Sequence, residues 1–173
     1  LSFLAAVIII AGVIAVANIV TVNSLVDFAS GFGNVAKENA LQPETDESGC
    51  RTFTTDEEFR VMQLTDIHIG GGFLSVSKDK SALTAVATMI EKAQPDLVVV
   101  TGDIAFPVPY AAGTFNNKSG AKIFAALMES LGVYWTVAFG NHDTESYSYF
   151  DRETMSEFYS NPEYKYCLYS SGP

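Results

Sequence analysis

Three short apolar runs alternate with two helix-like stretches from residue 61 onward, and this order constrains the fold more than any other feature. The runs cover residues 61–64, 97–100 and 133–137. Between them, apolar residues recur at helical spacing, first at Leu83, Val86, Ala87 and Ile90, then at Ile123, Leu127 and Leu131. The middle run, Leu-Val-Val-Val, is typical of a strand buried on both faces. Because strands that alternate with helices lie parallel in one sheet, the sequence predicts an α/β fold.

Residues that can bind metals follow each of the three predicted strands. They are Asp66 and His68, then Asp103, then Asn141, His142 and Asp143, and they include both histidines of the chain. The carboxyl ends of parallel strands lie at one edge of a sheet, where ligands bind, so we expect these side chains to converge. Asp66 and His68 should point to the same side of an extended strand end, because side chains alternate there. The sequence therefore predicts a metal site at this edge.

The same residues resemble the motifs of a known family. Asp66-x-His68, Gly102-Asp103 and Gly140-Asn141-His142-Asp143 are similar to the first three motifs of the calcineurin-like metallophosphoesterases, nearest to the purple-acid-phosphatase-like branch. The resemblance covers about residues 59–173. It implies a four-layer α/β/β/α sandwich, of which this chain would hold the first half, and a site with two metal ions.

The resemblance also implies roles for single residues. Asp66 and His68 would hold the first metal, and Asp103 would bridge both metals. Asn141 would bind the second metal, and His142 would contact the substrate phosphate or protonate the leaving oxygen. The implied reaction is attack of a metal-activated hydroxide on a phosphomonoester or phosphodiester. Oxygen ligands with imidazole suit Mn, Fe or Zn, and the sequence does not choose among them.

The sequence departs from the family pattern in two places. Phe106 stands where the family has Asp or Tyr, and we expect that a phenyl ring can neither bind a metal nor orient His142. The chain has no histidine after His142, whereas the family completes its site with further histidines. We therefore expect a fragment that binds metal poorly and is inactive by itself. The alternative is a non-catalytic, membrane-tethered binding module that keeps the fold.

The N-terminal residues predict a membrane segment. Residues 1–26 contain no Asp, Glu, Lys or Arg. The apolar run over residues 3–22 would span about 30 Å as a helix, which matches the core of a bilayer. We expect residues 1–26 to be a transmembrane anchor, although Ala15-Val16-Ala17 also fits the cleavage site of a secretory signal peptide.

The residues after this segment predict how the chain is arranged around the membrane. Residues 27–50 are polar and turn-rich, which indicates a stalk with little fixed structure, and residues 51–173 would form the domain. One Lys and no Arg occur in residues 27–47, so we expect a single-pass protein with its domain outside the cytoplasm. Cleavage of the segment would make the protein secreted. Asn117-Lys118-Ser119 would then be a glycosylation sequon.

Charge and cysteine content exclude other classes of protein. The chain has 20 acidic and 10 basic residues, a net charge of −10 and no basic run, so nucleic acid is not expected as a partner. Cys50 and Cys167 lack the CxxC spacing of a zinc ribbon or a thioredoxin-type motif. A disulfide between them and two free thiols are both open at this point.

Overall fold

The computed structural model of this chain describes residues 2–171, so Leu1, residue 172 and residue 173, which the predicted ranges include, lie outside it. In chain order the elements are α1 (Phe3–Ser30), β1 (Glu44–Thr45), β2 (Arg51–Thr52), β3 (Val61–Leu64), α2 (Val76–Ala93), β4 (Leu97–Val100), α3 (Pro109–Ala112), α4 (Asn117–Leu131), β5 (Trp135–Val137) and α5 (Arg152–Tyr159). Strands β1 and β2 form a small antiparallel pair.

Strands β3, β4 and β5 form one parallel sheet in that order, which confirms the predicted α/β arrangement. Leu64, Val100 and Val137 pair across the sheet and lie on its buried face. Helices α2 and α4 connect the strands, as the helical spacing predicts. Helix α4 ends at Leu131 and is capped by Gly132, whose left-handed φ of 70° favours glycine.

The opposite face of the sheet is partly open, so the prediction that β4 is buried on both faces is wrong. The side chains of Leu97 and Val99 are only half-buried there, and Val61 is 51% exposed. No other element of residues 2–171 packs a second sheet against this face. The described residues therefore form a mixed α/β layer, and the four-layer sandwich is not seen in them.

Helix α1 is longer than the predicted membrane segment and packs on the domain at its carboxyl end. It continues through Ser30, and Leu25 and Ala29 are completely buried. The hydroxyl of Ser130 donates to the backbone oxygen of Ser30 at 2.9 Å. Helix α1 is long and apolar enough to cross a membrane, with a mean hydropathy of 2.8 over 18 residues that are not buried. An N-terminal signal sequence meets the same criterion.

The segment that follows α1 differs from the stalk expected from its composition, because its polar groups find partners on the domain. The backbone N–H of Val35 donates to Leu131 at 3.0 Å. Lys37 forms an ion pair with Asp96 at 2.5 Å. Burial acts to raise the pKa of the Asp96 carboxyl, but Lys37 and Arg60 together outweigh it and hold that pKa below its ordinary value. The division into anchor, stalk and domain stays a prediction.

Both cysteines are free thiols, so the structure contains two separate cysteines rather than a disulfide. Cys50 is exposed beside β2, whereas Cys167 lies against β5 and is partly buried. Burial raises the pKa of the Cys167 thiol to about 11, which keeps it protonated and unreactive near neutral pH.

Candidate metal centre

The candidate site forms where the loops after β3, β4 and β5 meet at the carboxyl edge of the sheet. Backbone hydrogen bonds join the first loop to the second beyond the strands. The N–H of Asp66 donates to the oxygen of Gly102 at 3.2 Å, and the N–H of His68 donates to the oxygen of Asp103 at 3.0 Å. The convergence predicted from the strand ends therefore occurs, and paired backbone groups hold it.

Three of the predicted ligands have left-handed backbone conformations. The φ angles are 55° at Asp66, 54° at His68 and 58° at Asp103. Such angles are unfavourable for residues other than glycine, and they cluster at functional sites. The prediction of an extended strand end with alternating side chains is therefore wrong at Asp66 and His68. The two side chains still approach, because His68 Nε2 lies 3.7 Å from Asp66 Oδ1.

His68, Asp103 and His142 form a group that could hold a metal ion. One ligand atom from each residue lies within 4.8 Å of the others. The carboxylate of Asp103 is largely buried, whereas the His68 side chain is 37% exposed, so a cation can reach the group from solvent. Two imidazoles and a carboxylate are a donor set that suits Zn and other transition metals. The residues present therefore fit the metal expected from the sequence.

The structure places the remaining predicted ligands beside this group. Asp66 lies next to His68 with an exposed side chain, and Asn141 directly precedes His142 with its side chain in solvent. The backbone N–H of His142 donates to Asp103 Oδ1 at 2.8 Å, which ties the third loop to the second. His142, predicted to act on the leaving oxygen, thus also lies within reach of a metal held by His68 and Asp103.

Asp143 organises the site, although sequence reasoning gave it no role. It is 1% exposed and accepts three backbone hydrogen bonds, from Asp103 at 2.8 Å, Ala105 at 3.0 Å and Gly140 at 2.9 Å. It therefore fixes the turn that presents Asp103. The sequence feature that could have indicated this role is the position of Asp143 as the last residue of Gly-Asn-His-Asp.

Gly140 leaves the space that the Asp103 carboxylate occupies. A Cβ atom at Gly140 would overlap Asp103 Oδ1 and also crowd the Asp103 backbone nitrogen. Any side chain at this position would therefore push the Asp103 carboxylate out of its place. Glycine is required here by close approach of two loops, not by chain flexibility.

Asn117 holds the loop that follows β5 by hydrogen bonds to its backbone. Its side-chain amide donates to the backbone oxygens of Asp143 at 2.7 Å and Phe150 at 2.8 Å. It is completely buried, so the sequon that it begins cannot accept a glycan in this structure. Its role is structural.

Phe106 packs against both histidines, whose rings also contact each other, and this corrects the expectation that it cannot orient His142. Its ring lies 4.8 Å from His68 in a stacked arrangement and 4.7 Å from His142 in an edge-to-face arrangement. It restrains both imidazoles by packing rather than by a hydrogen bond. As expected, it offers no metal ligand.

Glu145 provides the carboxylate partner of His142 that the sequence seemed to lack. Its Oε1 contacts His142 Nδ1 within the third loop. Burial raises the pKa of the nearby Tyr147 hydroxyl, and the negative charge of Glu145 raises it further. Sequence reasoning missed Glu145, and its only signal was a carboxylate three residues after a histidine.

Comparison with known proteins gives a consistent result. The sequence profile described as Calcineurin-like phosphoesterase matches residues 59–172. Among curated proteins, the chain is 31% identical to "Probable inactive purple acid phosphatase 14" of Arabidopsis thaliana, over 61% of the chain and 28% of that relative. It is 27% identical to "Probable inactive purple acid phosphatase 28" of Arabidopsis thaliana, over 54% of the chain and 25% of that relative.

The chain spans about a quarter of the length of these curated relatives. No solved structure matches it significantly. The profile match covers most of the chain and includes every residue of the candidate site, which confirms the resemblance read from the three motifs. The chain therefore belongs to the calcineurin-like phosphoesterase family.

Proposed function

We propose that this chain forms the metal-binding part of a membrane-anchored hydrolase that cleaves a phosphate ester with two metal ions. The convergence of His68, Asp103 and His142 carries the proposal, because their ligand atoms lie within 4.8 Å of one another. The left-handed backbone at Asp66, His68 and Asp103 supports it, since strain of this kind persists where function requires it.

Each residue takes the role that its position supports. Asp66 and His68 would hold one metal, Asp103 would contact both, and Asn141 would offer its amide oxygen to the other. When bound, the metals would neutralise the phosphate charge and lower the pKa of an attacking water. Asp103 is the residue best placed to contact both metals, because its carboxylate lies between the first and third loops, with Oδ1 accepting from the His142 backbone and Oδ2 3.7 Å from His68 Nε2.

His142 supplies the proton for the leaving group. Glu145 Oε1 accepts from His142 Nδ1, so the Nε2 atom is left to face the substrate. A histidine has an ordinary pKa near 6.5 and can donate a proton near neutral pH. Phe106 and Glu145 then restrain the ring from two sides, by packing and by hydrogen bonding.

The rest of the proposed protein follows from the open sheet face and from α1. The half-exposed face that carries Val61 and Val99 supports a second sheet in the whole domain, which would give the four-layer sandwich. Helix α1 is a single-pass anchor, with the domain outside the cytoplasm. If α1 is instead a cleaved signal segment, the domain is secreted.

A second function rests on a specific observation. Both relatives are named inactive, and Phe106 replaces a metal-binding or hydrogen-bonding residue of the family pattern. A membrane-tethered module that binds a phosphate ester without cleaving it would keep the same fold and loops.

Metal content and hydrolysis by the complete protein separate the two functions. We expect the unmodified protein to hold about two metal ions per chain and to hydrolyse an aryl phosphate. Asp103→Ala should lose both the bound metal and the hydrolysis. Asn141→Ala should lose the hydrolysis. Asp56→Ala, which removes an exposed carboxylate far from the site, is the control and should change neither. A protein that holds no metal and hydrolyses no phosphate ester would support the binding module.

A further inference from the structure

A groove of about 840 Å³ separates α1 from the domain on the side away from the buried end of α1. One wall is the apolar face of α1, including Ile14, Ile19 and Val22. The facing wall is aromatic and includes Phe73, Phe115 and Tyr149. The groove is therefore apolar along most of its length, and seven of its 19 lining residues come from the helix suited to a membrane.

Asn18 holds α1 against the domain beside the groove. Its side-chain nitrogen donates to the backbone oxygen of Gly113 at 2.9 Å, and its side-chain oxygen accepts from the N–H of Phe73 at 3.1 Å. The amide thus bonds at both ends to loops of the domain. The gap next to it is a feature of how α1 is attached, and it cannot close by a simple shift of the helix.

Lys118 and Lys122 lie at the polar end of this groove. They are four residues apart on α4, so they share one face of that helix. Neither forms an ion pair with any residue between 2 and 171. The Lys118 ammonium lies 5.3 Å from the Phe150 ring centroid, beside the aromatic wall. Two unpaired cations in a chain of net charge −10 favour an anionic ligand at this place.

The positions of the two lysines along the axis of α1 follow from how α1 and α4 pack. Helices α1 and α4 run side by side in the same direction, because Ser30 contacts Ser130 at one end while Asn18 and Lys118 both line the groove at the other. Lys122 therefore lies near the level of Val22. From Ala11 to Val22 the helix rises about 17 Å, close to half the thickness of a bilayer core.

Exposed apolar side chains surround the mouth of the groove. Leu74 is 54% exposed, Tyr149 is 67% exposed, and Tyr110, which follows the groove-lining Pro109, is 84% exposed. Aromatic residues are enriched where proteins meet the interface of a membrane, and exposed apolar patches mark interaction sites. These side chains indicate that this face of the domain enters the outer part of the membrane together with the groove-lining part of α1.

We propose that the groove binds an anionic phospholipid of the surrounding membrane. One acyl chain lies along Ala11 and Ile14 of α1, and the phosphate lies between Lys118 and Lys122. The positive end of the α4 dipole, at Asn117 and Lys118, adds to the attraction for the phosphate. The site rests on the proposed anchoring by α1, but it requires neither metal binding nor hydrolysis.

Photolabelling in vesicles tests the proposal directly. The chain is reconstituted in phosphatidylcholine vesicles that contain a trace of phosphatidylglycerol or phosphatidylcholine with a photoreactive diazirine on one acyl chain. We expect phosphatidylglycerol to label the chain about 5-fold more than phosphatidylcholine, since each lysine near the membrane surface favours anionic lipid. The labels should map to α1 and to the aromatic wall.

Matched variants assign that preference to the groove. Lys118→Gln/Lys122→Gln should reduce the ratio of the two labels to about 1, whereas Lys78→Gln/Lys92→Gln, which removes two exposed lysines of α2, should leave it unchanged. Ala15→Trp should fill the groove and reduce both labels there, whereas Ala6→Trp on the same helix should not.

The outcomes separate the groove from the anchor. Equal labelling by both lipids in the unmodified chain, or a preference that survives Lys118→Gln/Lys122→Gln, overturns the lipid site while α1 remains an anchor. A chain that does not float with the vesicles overturns the anchor and the lipid site together. The metal-dependent function is measured separately and is not affected by either result.

Discussion

The candidate metal centre has a buried half and an exposed half, and the two are held in different ways. The buried half consists of the buried Gly102, Asp103 and Asp143 with the half-buried Gly140, and the exposed half consists of the exposed Asp66, His68 and Asn141 with the half-buried His142. In the buried half, one carboxylate accepts three backbone N–H groups. In the exposed half, the side chains are held by few hydrogen bonds. Their candidate ligand atoms lie 3.7–4.8 Å apart, which leaves room for an ion between them. Folding alone therefore places the Asp103 carboxylate, whereas the outer candidate ligands would need a metal to complete their contacts.

Removal of the Asp143 carboxylate should have the largest effect on the stability of the chain. Asp143→Ala leaves three backbone N–H groups without an acceptor, and each such loss costs roughly 1–3 kcal/mol, so we expect the free energy of unfolding to fall by about 3–6 kcal/mol. Urea unfolding followed by the fluorescence of Trp135, which is completely buried, measures this change. Asp56→Ala on an exposed loop is the control, with an expected change within about 0.5 kcal/mol. An Asp143→Ala variant as stable as the unmodified chain would show that the buried half does not depend on this residue.

A methyl group at Gly140 should disturb the same half by overpacking. Gly140→Ala places a Cβ against Asp103 Oδ1 and the Asp103 backbone, and such crowding typically costs about 1–3 kcal/mol. Urea unfolding measures the loss, and the metal affinity of the complete protein should fall as well, because Asp103 must move. Gly12→Ala is the control, since no atom lies within 4 Å of a Cβ built there. Equal stability of the two variants would contradict the close packing of Gly140 against Asp103.

A substitution in the exposed half should lower metal affinity strongly and change stability little. We expect His68→Ala to change the free energy of unfolding by less than about 0.5 kcal/mol, because the side chain is partly in solvent. In the complete protein the same change should weaken metal binding at least about 10-fold. Loss of a residue that only hydrogen-bonds to a metal ligand already costs about that much affinity, and loss of the ligand itself should cost more. Competition with a chelator measures the affinity. A His68→Ala protein that is strongly destabilised yet binds metal normally would reverse the comparison between the two halves.

The sequence predicts the framework of this site better than its details. The parallel sheet follows from apolar runs that alternate with helical stripes, because burial imposes those periods on the sequence. The left-handed turns at Asp66 and His68 could not be predicted, since they depend on backbone hydrogen bonds between loops that are distant in sequence. Asp143 was missed for the same reason, because its three partners come from two loops. The packing of Val35 and Lys37 on the domain was hidden by a polar composition that is typical of linkers.

Glu145 tests whether the exposed half is organised for proton transfer. Glu145→Gln keeps the shape of the side chain but removes the charge that holds His142 Nδ1. In the complete protein we expect a loss of about 10-fold or more for alkyl phosphates, which need protonation of the leaving oxygen, and less than about 3-fold for nitrophenyl phosphate. Glu157→Gln on the exposed side of α5 is the control and should change neither rate. Equal losses for both substrates would show that Glu145 does not act through the leaving-group proton.

The smallest expected effect concerns Asp79, which supports the exposed half from behind. It accepts the N–H of Gly70 at 2.9 Å, the N–H of Gly71 at 3.0 Å and the hydroxyl of Ser75 at 2.8 Å, and so fixes the loop that follows His68. Burial raises the pKa of its carboxyl above the ordinary value, although these hydrogen bonds oppose the shift. The folded chain therefore binds this proton more tightly than the unfolded chain does. The stability that protonation contributes is complete below the unfolded pKa, near 3.9, and is lost as the pH rises through the folded value.

Asp79→Asn removes that titration, so the stability of the unmodified chain relative to the variant should decrease as the pH rises above about 4. Urea midpoints of both proteins between roughly pH 3.5 and 6 measure the difference, in which the other carboxylates cancel. The variant should be less stable at every pH, because one amide oxygen cannot replace both carboxylate oxygens for Gly70, Gly71 and Ser75. A difference that stays constant with pH would mean that Asp79 titrates alike in the folded and unfolded chains. The hydrogen bonds from Gly70, Gly71 and Ser75 would then balance the cost of burying the charged carboxylate.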